Sequence, residues 1–140
     1  RNCAHNLVIS MEAKLVVILA ACLLIFFSNG GDAQCTVKHL VVAQTTAPTQ
    51  PGETYPKHMV TVKNTCVCMQ LNVKMDCAGF DSSIDVIPAD TITPDGDNSL
   101  CTLNGGRPVY GNGTVTFSYA WSTDISFRPV SSYMECSVAP

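Results

Sequence analysis

From residue 70 to 77 the chain alternates: Leu71, Val73, Met75 and Cys77 are apolar, and Gln70, Asn72, Lys74 and Asp76 between them are polar. A period of two sends successive side chains to opposite faces of a strand, so the segment reads as a half-buried strand with Cys77 turned toward a core. The same alternation over 114–121 puts Val115, Phe117, Tyr119 and Trp121 on one face and Thr114, Thr116, Ser118 and Ala120 on the other. Further strands are predicted at 36–44, 59–63, 84–87, 100–103 and 125–130, each bounded by Gly, Pro, Asn or Asp. Beyond residue 33 the i, i+3, i+4 spacing of an amphipathic helix is hard to find. About seven short strands at this spacing predict an all-β fold, a small antiparallel β-sandwich. Asn112-Gly113, between Val109-Tyr110-Gly111 and the strand opening at Thr114, predicts a type I′ hairpin, since both residues tolerate positive φ. The stretches 45–56 and 88–99 are rich in Thr, Pro, Asp and Gly and read as loops, candidates for recognition or mere connections.

The N-terminal third follows a different pattern. Residues 1–10 show neither apolar periodicity nor capping signals and read as a segment upstream of the true start at Met11. From Met11 a short basic stretch with Lys14 leads into an apolar run over 15–27 and then into small and polar residues. That is the layout of a secretory signal peptide, a helix over 11–33, with Gly31 and Ala33 suiting the cleavage pockets and the cut falling before Gln34. The run is shorter than the ~20 residues a spanning helix needs, so no stable membrane anchor is expected. Residues 34–140 form the expected secreted domain, located outside the cell.

Removing residues 1–33 takes Cys3 and Cys22 with it and leaves Cys35, Cys66, Cys68, Cys77, Cys101 and Cys136. An even number of cysteines in an oxidising compartment reads as three disulfides. Cys66 and Cys68 are too close in sequence to bridge each other without strain, so each is expected to reach a distant partner. The other pairings stay open.

Composition then narrows the chemistry. With 8 Lys and Arg against 11 Asp and Glu, the net charge is −3, and no basic stripe exists to engage nucleic acid. With 46% hydrophobic and 14% charged residues the chain is too apolar for a disordered polymer. Residues 34–140 hold only two histidines, His39 and His58, and no Gly-x-Ser-x-Gly, so no nucleophile with its base is expected, and the thiols are committed to bridges. Cys66-x-Cys68 with His58 lacks the usual spacing of a structural zinc site. Asp95-Gly96-Asp97-Asn98-Ser99 has the oxygen density of a calcium loop but neither the Gly nor the Glu that the pattern requires, and reads as a solvated acidic turn. None of Glu53, Asp76, Asp81, Asp85 or Asp90 stands out as half of a glycosidase pair. We expect no catalytic residue, no metal and no cofactor. Phe117, Tyr119 and Trp121 have two readings, a sugar-stacking platform or core, and Val115 on the same face favours core. Asn112-Gly113-Thr114 is a candidate N-glycosylation site at Asn112.

In order along the chain come Cys35, then Val60-Thr61-Val62-Lys63-Asn64-Thr65-Cys66-Val67-Cys68, then Val73-Lys74-Met75-Asp76-Cys77-Ala78-Gly79-Phe80-Asp81-Ser82. Val86-Ile87-Pro88, Leu100-Cys101-Thr102-Leu103-Asn104-Gly105-Gly106, Phe117-Ser118-Tyr119-Ala120-Trp121 and Cys136 follow. This array of six cysteines with Asn-x-Cys-x-Cys, Cys-x-x-Phe-x-Ser and Phe-x-Tyr-Ala resembles the plant tapetum determinant 1 family over nearly all of residues 34–140. The family commonly shows Cys-Leu-Val-Asn at the fifth cysteine, where this chain has Cys101-Thr102-Leu103-Asn104. The resemblance implies a secreted cysteine-rich signalling ligand whose partner is the ectodomain of a leucine-rich-repeat receptor kinase, acting in cell-fate specification in the anther. The alternative is a cell-wall polysaccharide-binding β-sandwich module, motivated by the aromatic face.

Overall fold

The computed structural model describes residues 34–96 and 99–136. The expected upstream segment 1–10 and signal peptide 11–33 lie outside the described residues, as do Asp97 and Asn98 of the acidic turn.

Among the described residues, eight strands form two four-stranded antiparallel sheets. They are β1 Leu40–Ala47, β2 Lys57–Asn64, β3 Met69–Asp76, β4 Val86–Ile87, β5 Ile92–Pro94, β6 Leu100–Leu103, β7 Thr114–Ala120 and β8 Arg128–Glu135. One sheet has the order β1-β2-β7-β4, the other β5-β6-β3-β8. The expected all-β class and its disulfide stapling hold, with eight strands where about seven were expected. The added one, β5, lies inside the stretch 88–99 read as loop, where Ile92 turns inward and pairs with Leu103.

Inward-facing positions of both sheets meet in one core. Val60, Val62, Phe117 and Tyr119 come from one sheet and Val73, Met75, Cys101 and Leu103 from the other. Phe117 and Tyr119 are each 1% exposed, and Phe80 and Phe127 pack edge-on against Tyr119 with ring centroids 6.4 and 5.7 Å away. Edge-to-face geometry suits the ring quadrupoles, so the four rings fill a small sandwich efficiently. The core reading of the β7 face is the correct one. Trp121, just past the strand, is half-buried, with its ring 5.3 Å from that of Tyr55.

Four local expectations need correction. The first strand starts at Leu40 and not at residue 36, because Val37–His39 forms a 3-10 turn closed by a capping box. Thr36 Oγ1 accepts from the Lys38 amide and His39 Nδ1 accepts from the Thr36 amide, which offers the backbone a local alternative to the ladder. The last strand starts at Arg128 and not at residue 125. Ile125 and Phe127 are buried from an irregular segment, so their hydrophobicity marks burial and not a strand.

The third correction concerns β3. Its alternation does not run unbroken, because Asn72 has φ +52° and, with Val73, faces the single residue Ser132 of β8. This bulge reverses the phase of the strand. Val73, Met75 and Cys77 point inward as expected, but before the bulge the inward residue is Gln70, fully buried, and not Leu71. A second irregularity at Val130 of β8 restores the register.

The fourth concerns Asn112-Gly113. Only Asn112 has positive φ, +62°, and the Gly113 amide donates to the Tyr110 carbonyl at 2.8 Å, so the central residues are Gly111 and Asn112. That is the pattern of a type II turn. It does not make a hairpin: Val109 pairs with Gln70 in one sheet, while β7 pairs with β2 and β4 in the other. The turn carries the chain across the sandwich.

On the outer face of the second sheet, Asp95 accepts from Thr102 Oγ1 at 2.6 Å and from Lys74 Nζ at 2.9 Å. The Thr102 hydroxyl first, and the Lys74 ammonium after it, hold the Asp95 carboxyl below its ordinary range against the opposing effect of desolvation. A depressed folded pKa stabilises the protein above the unfolded value, and this contribution is lost as pH falls through the folded one. Asp95→Asn is therefore expected to lower the urea midpoint near neutrality and to leave it less sensitive to acid below about pH 4, which paired denaturation curves measure.

Candidate recognition surface

One end of the sandwich is built around Asn64, the last residue of β2 and fully buried. Its Nδ2 donates to the Cys68 carbonyl at 2.8 Å and the Val109 carbonyl at 3.0 Å. Its Oδ1 accepts from the Cys66 amide at 3.1 Å and Gln70 Nε2 at 3.3 Å. Gln70 in turn donates to the Thr36 carbonyl at 3.1 Å and accepts from Ser132 Oγ at 2.6 Å. A buried amide costs stability unless it is satisfied; here both amides are, and each ties together several segments.

The two cysteines that Asn64 positions leave the loop in different directions. Cys66 bridges to Cys35 and Cys68 to Cys136, with Cα separations of 5.8 and 4.4 Å. Cys77 bridges to Cys101 inside the core, at 6.0 Å. All six expected cysteines are thus paired, and Val67 between two anchored neighbours stands out 76% exposed.

The crossover turn packs on this loop. A Cβ at Gly111 would sit 2.3 Å from the Val67 carbonyl oxygen, so only glycine permits the approach. Tyr110, 62% exposed, and Val67 flank that contact. Beyond Tyr110 opens a groove of about 420 Å³, lined by Pro88, Thr91, Arg107, Pro108, Thr114 and Thr116 among others, with no carboxylate in its wall. Arg107 follows Asn104, Gly105 and Gly106, which have φ of +58°, +63° and +82°. Its amide closes that turn on the Asn104 carbonyl at 3.1 Å, and its guanidinium donates to Asn104 Oδ1 at 3.3 Å. Three successive left-handed residues explain why the sequence reads Asn-Gly-Gly at this point.

A smaller cleft of about 270 Å³ lies on the other side of the 88–90 segment and carries Asp81, Asp85 and Asp90. The sequence singled out none of these acids, because a lining is shared by residues far apart in the chain. Asp81 is held below its ordinary range by the Ser83 hydroxyl and amide. Among the described residues no three of His, Cys, Asp and Glu are grouped so as to hold a metal ion. The surface is therefore divided, an acidic cleft on one side of Ala89 and a groove with one guanidinium on the other.

The remaining sequence candidates are scattered. His58 is buried, 2.9 Å from both Thr46 Oγ1 and the Trp121 carbonyl. Since that carbonyl only accepts, Nε2 donates to it. His39 caps the 3-10 turn. Asn112 is exposed at the crossover turn, its amide 3.3 Å from the Cys66 carbonyl. The arrangement presents Val67, held out between two bridged cysteines, and Tyr110, on the turn packed against it, next to a groove of hydroxyls, prolines and one cation.

Comparison with known proteins agrees with this architecture. The family model described as Tapetum determinant 1, C-terminal matches residues 36–137. The chain is 27% identical over 117 residues to the uncharacterized protein At1g05835 of Arabidopsis thaliana, covering 83% of this chain and 89% of that one. No solved structure matches. Since the family match takes in both sheets, the Asn64 node and five of the six bridged cysteines, this chain belongs to the tapetum determinant 1 family.

Proposed function

We propose that the protein is a secreted, non-catalytic signalling ligand that acts outside the cell on the ectodomain of a leucine-rich-repeat receptor kinase, in cell-fate specification during plant reproductive development. The observation that carries this reading is the family match, which spans nearly the whole sandwich. Three disulfides in one small domain fit an oxidising compartment. Among the described residues no helix is long and apolar enough to cross a membrane. In this reading the receptor meets the end of the sandwich that presents Val67, Tyr110 and the Arg107 groove. Aromatic and arginine side chains are the groups that most often dominate such interfaces. Asn112, exposed at the neighbouring turn, is the proposed N-glycan acceptor.

The test is a pull-down of the protein expressed from the full chain, using a panel of leucine-rich-repeat receptor ectodomains. Binding is expected at micromolar concentration or below. Tyr110→Ala and Arg107→Ala are expected to weaken it at least ~10-fold each with unchanged melting temperature, because neither side chain supports the core. Absence of binding across the panel overturns the ligand reading. The polysaccharide-binding alternative relied on rings at Phe117, Tyr119 and Trp121, and two of the three lie in the core.

A further inference from the structure

The two sheets have four edge strands, β1 and β4 in one and β5 and β8 in the other. An exposed edge offers unpaired amides and carbonyls to any passing strand, and proteins commonly blunt it with shortness, proline, charge or a bulge. Three of the four edges here are blunted. β4 has two residues and runs into Pro88, and β5 has three and ends at Pro94. β8 begins with Arg128-Pro129, ends at Glu135 and is irregular at Val130.

β1 carries none of these devices. It is eight residues long, Leu-Val-Val-Ala-Gln-Thr-Thr-Ala, with no charge and no proline, and it pairs with β2 in unbroken register along its whole length. Its outward face shows Val41, 52% exposed, with Ala43 and Thr45. Its inward side chains are tied down: Gln44 Nε2 donates to the Ile125 carbonyl at 3.0 Å, Gln44 Oε1 accepts from the Tyr119 hydroxyl, and Thr46 meets His58. The edge is thus straight and already ordered, so adding a strand to it costs little conformational entropy.

We propose that β1 is a pairing edge, and that its partner is β1 of a second copy of this chain, joined antiparallel about a two-fold axis into one continuous eight-stranded sheet. A second copy fits because the strand is self-complementary. With the axis beside Ala43, Ala43 faces its own copy and Val41 faces Thr45, so no like charges meet across the junction. Lys57 and Lys63, the outward charges of this sheet, stand one strand back on β2. In that register residues 40–46 of the two copies pair, so at ~3.4 Å per residue the matched edges run together for roughly 24 Å.

The experiment is sedimentation velocity on the oxidised product of the full chain across a micromolar concentration series, for the wild type, Ala43→Lys and Thr61→Lys. The wild type is expected to shift from monomer to twice the monomer mass as concentration rises. Ala43→Lys sets a lysine against its own copy and is expected to weaken dimerisation at least ~10-fold. Thr61→Lys places the same charge on the same face but on β2, and is expected to leave dimerisation unchanged. Far-UV circular dichroism and non-reducing mass analysis show that each variant is folded and bridged. A wild type that stays monomeric throughout overturns the proposal, as does a dimer insensitive to Ala43→Lys. Loss of the dimer in Thr61→Lys overturns it too, because packing would then be through the sheet face. Should Ala43→Lys fail to fold, Thr45→Lys takes its place under the same criteria.

Discussion

Reduction of the three bridges is expected to unfold this protein at room temperature. The disulfides close chain separations of 31, 68 and 24 residues. On the chain-entropy account each removes about 3 to 4 kcal/mol of disorder from the unfolded state, and together roughly 9 to 12 kcal/mol. A domain of this size has a total margin of only ~5 to 15 kcal/mol. The order of reduction follows access: Cys136 is exposed and Cys35 half-exposed, whereas Cys77 and Cys101 are both buried. A dithiothreitol titration with alkylation and mass analysis is expected to open Cys35–Cys66 and Cys68–Cys136 first, with Cys77–Cys101 opening last as circular dichroism is lost. A spectrum that stays native with all six thiols alkylated contradicts this account.

Asn64→Ala is expected to be the most damaging substitution outside the cysteines. It leaves the Cys66 amide and the Cys68 carbonyl without the partner they have in the native fold, in a place where Asn64 itself is fully buried. Each orphaned group costs ~1 to 3 kcal/mol, so the loss is about 2 to 6 kcal/mol, a large part of the total. Asn64→Asp is nearly isosteric but sets a carboxylate oxygen against the Cys68 and Val109 carbonyls, so it too is expected to destabilise. Chemical denaturation of the oxidised variants measures both. An Asn64→Ala midpoint within error of the wild type shows that water replaces the amide and that the node is dispensable.

These two predictions explain the Asn-x-Cys-x-Cys pattern in physical terms. The asparagine side chain holds the loop between two half-cystines, and the loop holds Val67 out and receives the crossover turn at Gly111. A change at Asn64 therefore reaches Val67 and Tyr110 without touching either.

Much of this was readable from local pattern. Strand β7 lies where alternation put it, and Phe117 and Tyr119 face the core as the shared face with Val115 suggested. Period-two patterning reports burial on a half-covered sheet, and that signal needs no knowledge of the partner strand. It failed where a single backbone angle intervened. Asn72 at positive φ changes the phase of β3, so Gln70, polar by sequence, is buried. Asn112-Gly113 carries the signature of a hairpin, yet its strands belong to different sheets, because turn chemistry fixes only the turn.

By itself the sequence determined the all-β class, the six half-cystines and the family, since these depend on residue identity and on spacings of a few positions. Only the tertiary structure decided which cysteine meets which, that Asn64 and Gln70 share one buried node, that Arg107 and Tyr110 border one groove, and that β1 is left as the unguarded edge. Each of these is a pairing between residues distant along the chain. Such pairings are selected by the joint burial and hydrogen bonding of the whole sandwich, and no local window of residues contains that information.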